Sequence, residues 1–145
     1  MSAQENEMTE ESKAEPSMLI VDDAQMMRLK IERIARTAGW KRVVRAPDGG
    51  TAVDLYREQP FSLVTMDIVM PGIDGLEALT RIRRIDPEAR VVMVSAINQK
   101  SKLSACIDAG AMDFIVKPFD ANRFERFLTD RYHAAVDELA AKNDG

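Results

Sequence analysis

Five short apolar runs, each followed by a longer amphipathic stretch, constrain this chain more than any other feature: Met18–Val21, Arg42–Arg45 with its central valine pair, Phe61–Met66, Val91–Val94 and Phe114–Val116. Several of these runs are apolar without interruption. A strand with one face in water alternates apolar and polar residues, so an unbroken run points to strands covered on both faces by helices, and therefore to a parallel sheet. The stretches between the runs carry apolar residues at helical spacing. Met27, Ile31, Ile34, Ala35 and Ala38 form the first stripe, which stops at Gly39, a residue suited to the left-handed position that ends a helix. Similar stripes run through Ala52, Leu55 and Tyr56, through Leu76, Leu79 and Ile82, and through Leu103, Cys106 and Ile107. The last joins Phe124, Leu128, Tyr132, Ala135 and Leu139 and predicts a long helix from about Asn122 to Ala141. Five strand–helix units in succession, with right-handed crossovers, predict an α/β, doubly wound (βα)5 domain.

That domain is expected over residues 18–141, with residues 1–17 a disordered acidic leader and 142–145 a tail. Met1–Ser17 shows no hydrophobic periodicity. Its first sixteen residues hold five Glu and one Lys, a net charge of −4 that equals the net charge of all 145 residues. The rest of the chain is therefore near neutral. It lacks the basic footprint of a nucleic-acid binder, and an acidic leader repels a phosphate backbone, so no nucleic-acid contact is expected. No apolar run approaches the roughly 18 residues of a membrane span, and the N-terminus has no basic–apolar signal pattern, which predicts a cytoplasmic protein without membrane contact. Cys106 is the only cysteine, which excludes an intrachain disulfide and a thiolate cluster; its place on a helical stripe marks it as core. His133, the only histidine, lies beyond the fifth strand, where no phosphotransfer role is expected.

In an open parallel sheet, ligands bind outside the carboxyl ends of the strands, beside the point where strand order reverses. The polar residues ending the runs are therefore the candidates. The first run ends in Asp22 and Asp23, the third in Asp67, the fourth in Ser95 and the fifth in Lys117. Two carboxylates about 4 Å apart repel by roughly 4 kcal/mol at an effective dielectric near 20, so three on one rim need a cation. Oxygen-only ligands from two or three carboxylates, completed by water, suit Mg²⁺, which shares phosphate oxygens readily. Lys117 adds positive charge, and the Ser95 hydroxyl can donate to a phosphoryl oxygen.

The pair in Leu19–Asp23, the segment Met66–Leu76 with its Pro71-Gly72-Ile73-Asp74-Gly75 turn, the turn Val94–Ala96, and Phe114–Phe119 together resemble the receiver domain of two-component response regulators, of the stand-alone CheY-like kind. The resemblance covers roughly Met18 to Leu139 and implies a flavodoxin-like, five-stranded parallel sheet in the order 2-1-3-4-5. It implies that Asp67 accepts the phosphoryl group. It also implies that Asp22, Asp23, Asp67 and the Val69 backbone carbonyl hold Mg²⁺, that Ser95 and Lys117 bind the phosphoryl oxygens, and that Ser95 and Phe114 act as the switch. The expected donor is a sensor histidine kinase, and the expected output is a shape change on the face made by the fourth helix, fifth strand and fifth helix. The protein would be a signalling partner, not an enzyme, acting as a monomer or weak homodimer on a downstream protein target.

Two positions depart from polar choices common in that family. Val69, two residues after Asp67, and Ile97, two after Ser95, are both apolar, which predicts slow self-dephosphorylation. An alternative reading is a phosphorelay intermediate that passes its phosphate to a histidine phosphotransfer protein. A haloacid-dehalogenase-like phosphatase also uses a strand-end Asp, but it requires Asp-x-Asp where this chain has Asp22-Asp23-Ala24. A flavodoxin-like flavin site requires anion donors where Asp22 and Asp23 stand.

Overall fold

The structure, a computed structural model, describes residues 15–144. The leader expected over residues 1–17 lies mostly outside these residues, although Ser17 at its end is already the first residue of a strand. Five strands alternate with five helices: β1 (Ser17–Val21), α1 (Gln25–Thr37), β2 (Arg42–Ala46), α2 (Gly49–Glu58), β3 (Leu63–Met66), α3 (Gly75–Ile85), β4 (Val91–Ser95), α4 (Lys100–Asp108), β5 (Asp113–Val116) and α5 (Ala121–Asp144). All pairs are parallel, and the sheet order is β2-β1-β3-β4-β5.

The unbroken apolar runs are explained by two cores, one on each face of the sheet. Met18 and Ile20 of β1 join Leu63, Val92 and Val94 against Ile31 and Ala35 of α1 and Phe124 and Leu128 of α5. Leu19 and Val21 point the other way and pack with Val64, Met66 and Met93 against α2 and α3 residues such as Tyr56, Leu79 and Ile82. Successive side chains of a strand face opposite sides, so both parities must be apolar in β1, β3 and β4. The outer strands β2 and β5 are less covered, which fits the arginines in β2 and the short apolar run of β5.

The first helix ends as its sequence predicts. Gly39 follows with φ +117°, a left-handed conformation that an L side chain adopts only with strain. A Cβ there would also stand 3.0 Å from the Tyr132 ring. Trp40 comes next and donates its indole Nε1 to the Leu128 carbonyl at 2.9 Å, which ties the α1–β2 corner to the middle of α5.

The long last helix folds back on its own domain. Tyr132 meets Trp40 edge-on with ring centroids 5.4 Å apart, Ala135 is buried, and Glu138 pairs with Arg90 just before β4. Tyr132 and Ala135 of the helix's later turns thus join the core, while Val136 stays exposed. Other differences are local. Phe61 and Ser62 stay outside β3, because the Ser62 amide bonds the Ser17 carbonyl at 2.8 Å while the Phe61 ring turns toward Tyr56 of α2.

Candidate functional site

Register decides which side chains meet. Val21 pairs with Met66, so the next residues, Asp22 and Asp67, leave adjacent strands at the same level. Order reverses here: β1 lies between β2 and β3, and the loops after β1 and β3 diverge to open a crevice. Asp22, Asp23 and Asp67 each offer a carboxylate oxygen into it, all within 4.8 Å of one another. Asp22 and Asp67 are buried, whereas Asp23 is exposed.

Lys117 follows the last residue of β5, and its amide bonds the Ser95 carbonyl at 2.9 Å. Its Nζ donates to Asp22 Oδ2 at 2.6 Å and to Asp67 Oδ2 at 3.1 Å. Burial alone pulls the ammonium pKa down, but the hydrogen bonds and charges of Asp22 and Asp67 more than offset it and hold Lys117 above the ordinary lysine value. The lysine is therefore charged. The remaining oxygens are also engaged: Asp22 Oδ1 accepts from the Ala24 amide at 2.9 Å and Asp67 Oδ1 from the Ile68 amide at 2.7 Å.

Neither carboxylate of the pair caps α1. The N-cap residue is Ala24, which makes no side-chain bond, and the first turn holds no acid. With helix capping excluded, the clustering of three carboxylates needs another cause. One lysine against three carboxylates leaves two formal negative charges, which one divalent cation cancels. The donors are all oxygen, as hard cations require, so the cluster can bind a metal ion.

The other expected site residues are placed differently. Ser95 is buried at the end of β4, but its hydroxyl accepts from the Ile97 amide at 3.4 Å, and among the described residues it bonds neither carboxylate nor lysine. Val69, whose carbonyl is an expected ligand, sits on the open loop after β3 with its side chain 61% exposed. Phe114 is half-buried against the core shared with α2 and α3. It also borders a cavity of about 360 Å³ lined by Val116, Phe119, Phe124 and Phe127. Cys106 is buried, and burial raises its thiol pKa, which fits a core residue. His133 is exposed on α5 beside Tyr132, outside the rim. Among the described residues, no helix is long and apolar enough to cross a membrane.

Two residues that periodicity does not single out complete the site. Gly75 opens α3 so close to the strand end that a Cβ there would stand 1.9 Å from the Asp67 carbonyl oxygen; its amide bonds the Ile68 carbonyl at 2.7 Å. Arg28 of α1 donates Nη1 to the Asp22 carbonyl at 2.6 Å. A cation in the first turn of a helix opposes the helix dipole, and that misplacement is the only sequence signal for it.

The family model of the response regulator receiver domain matches residues 18–129. The chain is 50% identical over 106 residues to chemotaxis protein CheY of Bacillus subtilis, spanning 73% of this chain and 88% of that protein. It is 43% identical over 106 residues to chemotaxis protein CheY of Thermotoga maritima, with the same two shares. Among solved structures it is similar to the CheX-CheY-BeF3-Mg²⁺ complex from Borrelia burgdorferi, with TM-score 0.75, 33% identity, and coverage of 79% of this chain and 87% of that chain. The sheet order, the carboxylate cluster and these matches agree, and the chain belongs to the receiver domains of two-component response regulators, which are CheY-like signalling modules and not, in general, enzymes.

Proposed function

We propose that Asp67 is the phosphoacceptor, that Asp22, Asp23, Asp67 and the Val69 carbonyl hold Mg²⁺, and that the protein signals through the face formed by α4, β5 and α5. The observation that carries this reading is the Lys117 ammonium held between the Asp22 and Asp67 carboxylates at the strand ends. Such a triad is built to exchange charge with an incoming dianion. Mg²⁺ held by these residues would supply positive charge to the phosphoryl oxygens.

The chain's own groups do the rest. Asp67, oriented by the Ile68 amide at its Oδ1, attacks phosphorus in line. The new bond is an acyl phosphate P–O bond; the P–N bond to the donor histidine breaks, and its electron pair stays on the imidazole. Lys117 leaves the Asp67 oxygen and meets a phosphoryl oxygen. The Ser95 hydroxyl, which accepts a long 3.4 Å bond from the Ile97 amide, turns to the phosphoryl group. That move opens room for Phe114, which borders the 360 Å³ cavity on the signalling face. A sensor histidine kinase is the donor class and a downstream protein target the output. The Borrelia complex supports both Mg²⁺ and protein partnership, since it unites a CheY with CheX, BeF3 and Mg²⁺.

Amide chemical shifts recorded on adding beryllofluoride with Mg²⁺ test the proposal. The expected result is a set of shifts at Asp67, Ser95 and Lys117 that continues through Phe114 to Val116 and the start of α5. Shifts confined to the rim would remove the output half of the reading.

A further inference from the structure

We infer that Arg28 is a positioning residue for the metal site: its guanidinium holds the β1–α1 corner so that Asp22 and Asp23 present their carboxylates toward Asp67. The inference rests on the metal-binding reading proposed above and adds a residue outside its ligand set.

The ladder with β3 gives its last β1 bond from the Asp67 amide to the Val21 carbonyl, so the Asp22 carbonyl is the first acceptor beyond the sheet. A part-buried carbonyl needs a donor. The turn into the helix also lacks a side-chain cap, since the N-cap is Ala24, which offers no oxygen to the first amides of α1. Arg28, one turn into α1, reaches back 2.6 Å to the Asp22 carbonyl, while the Ala24 amide bonds Asp22 Oδ1 and the Asp22 amide bonds the Ala46 carbonyl. With the Lys117 ammonium on Asp22 Oδ2, four bonds thus fix one residue, and the one from Arg28 alone holds its carbonyl. Asp22 is buried and Asp23 exposed, yet each offers a carboxylate oxygen within 4.8 Å of that of Asp67.

Charge argues in the opposite direction, which makes the inference testable by sign. A guanidinium near the metal ligands repels a divalent cation. If Arg28 acted only through its charge, removing it would tighten Mg²⁺ binding. If it acts by position, removing it weakens binding, and loss of outer groups that orient ligands typically weakens metal affinity about 10- to 100-fold.

The experiment is a Mg²⁺ titration of the full chain, followed by calorimetry and by the amide shifts of Asp22, Asp23 and Ala24, for the unmodified protein, Arg28→Met and Arg28→Lys. The expected result is about tenfold weaker Mg²⁺ binding by Arg28→Met, with recovery to within about threefold by Arg28→Lys, whose long stem returns one donor to the carbonyl. Unchanged or tighter binding by folded Arg28→Met overturns the inference. Should that variant fail to fold, Arg28→Gln, polar but too short to reach the carbonyl, carries the same expectation and the same refutation. Absence of Mg²⁺ binding by the unmodified protein is a different result, since it refutes the metal reading itself.

Discussion

Lys117 Nζ lies 2.6 Å from Asp22 Oδ2, a contact between the last strand and the first that joins residues 95 positions apart in the chain. It supplies one of the positive charges that three clustered carboxylates require. Replacing it with Met leaves buried acids uncompensated, and the expected loss is about 3 kcal/mol of unfolding free energy without metal. Added Mg²⁺ returns more stability to Lys117→Met than to the unmodified protein, because it supplies the missing charge. Urea unfolding with and without MgCl₂ checks this; an equal deficit in both conditions contradicts it.

Gly75 is a steric requirement of the strand end that carries Asp67. A Cβ 1.9 Å from the Asp67 carbonyl oxygen cannot be accommodated unless backbone moves. Gly75→Ala is expected to destabilise the domain by about 3 kcal/mol, the upper range for overpacking, and to slow phosphorylation of the fraction that folds. Denaturation midpoints together with initial phosphorylation rates measure the two effects.

Tyr56 gives the fold a pH dependence on the alkaline side. Its ring is buried, and its hydroxyl donates to Asp86 Oδ2 at 2.6 Å. Burial first, and then the Asp86 carboxylate, raise its pKa well above the usual phenol range. The folded state therefore keeps a proton that the unfolded chain releases near pH 10. The contribution is complete below about pH 10 and is lost as pH rises above it, at about 1.4 kcal/mol per pH unit, until the folded phenol itself ionises. Tyr56→Phe is expected to lack this slope when stability is measured from pH 9 to 11.5.

If Asp67 carries the phosphoryl group as proposed, Val69 and Ile97, two residues after Asp67 and Ser95, offer only apolar side chains that cannot orient an attacking water. Val69→Asn adds a group that can, and self-dephosphorylation is expected to quicken by about tenfold or more. The decay of phosphoprotein followed by intact mass gives the rate; an unmodified protein whose phosphate lasts only seconds with Mg²⁺ present contradicts the expectation of a slow site.

The parts of this site that were legible in the sequence are those that the parallel sheet itself aligns. Asp22 and Asp67 each follow a buried apolar run and Lys117 a half-covered one, and strands in register deliver their ends to one rim whatever the loops do. Arg28 was not legible, because a side chain that bonds a backbone carbonyl leaves no periodic trace. The clash at Gly75 is likewise a three-dimensional fact; in sequence it reads only as turn chemistry. The last helix runs to Asp144 rather than Ala141 because Ala140, Ala141 and Lys142 favour a helix and no Gly or Pro interrupts them. Phe61 extends the third apolar run by composition, yet its ring packs toward Tyr56 instead of lengthening β3.

Intact mass after incubation with acetyl phosphate, with and without Mg²⁺, for the unmodified chain and for Asp67→Asn tests the central claim most directly. The account predicts a gain of one phosphoryl group that requires both Mg²⁺ and Asp67. A gain that persists in Asp67→Asn, or no gain by an unmodified protein shown to bind Mg²⁺, would contradict it.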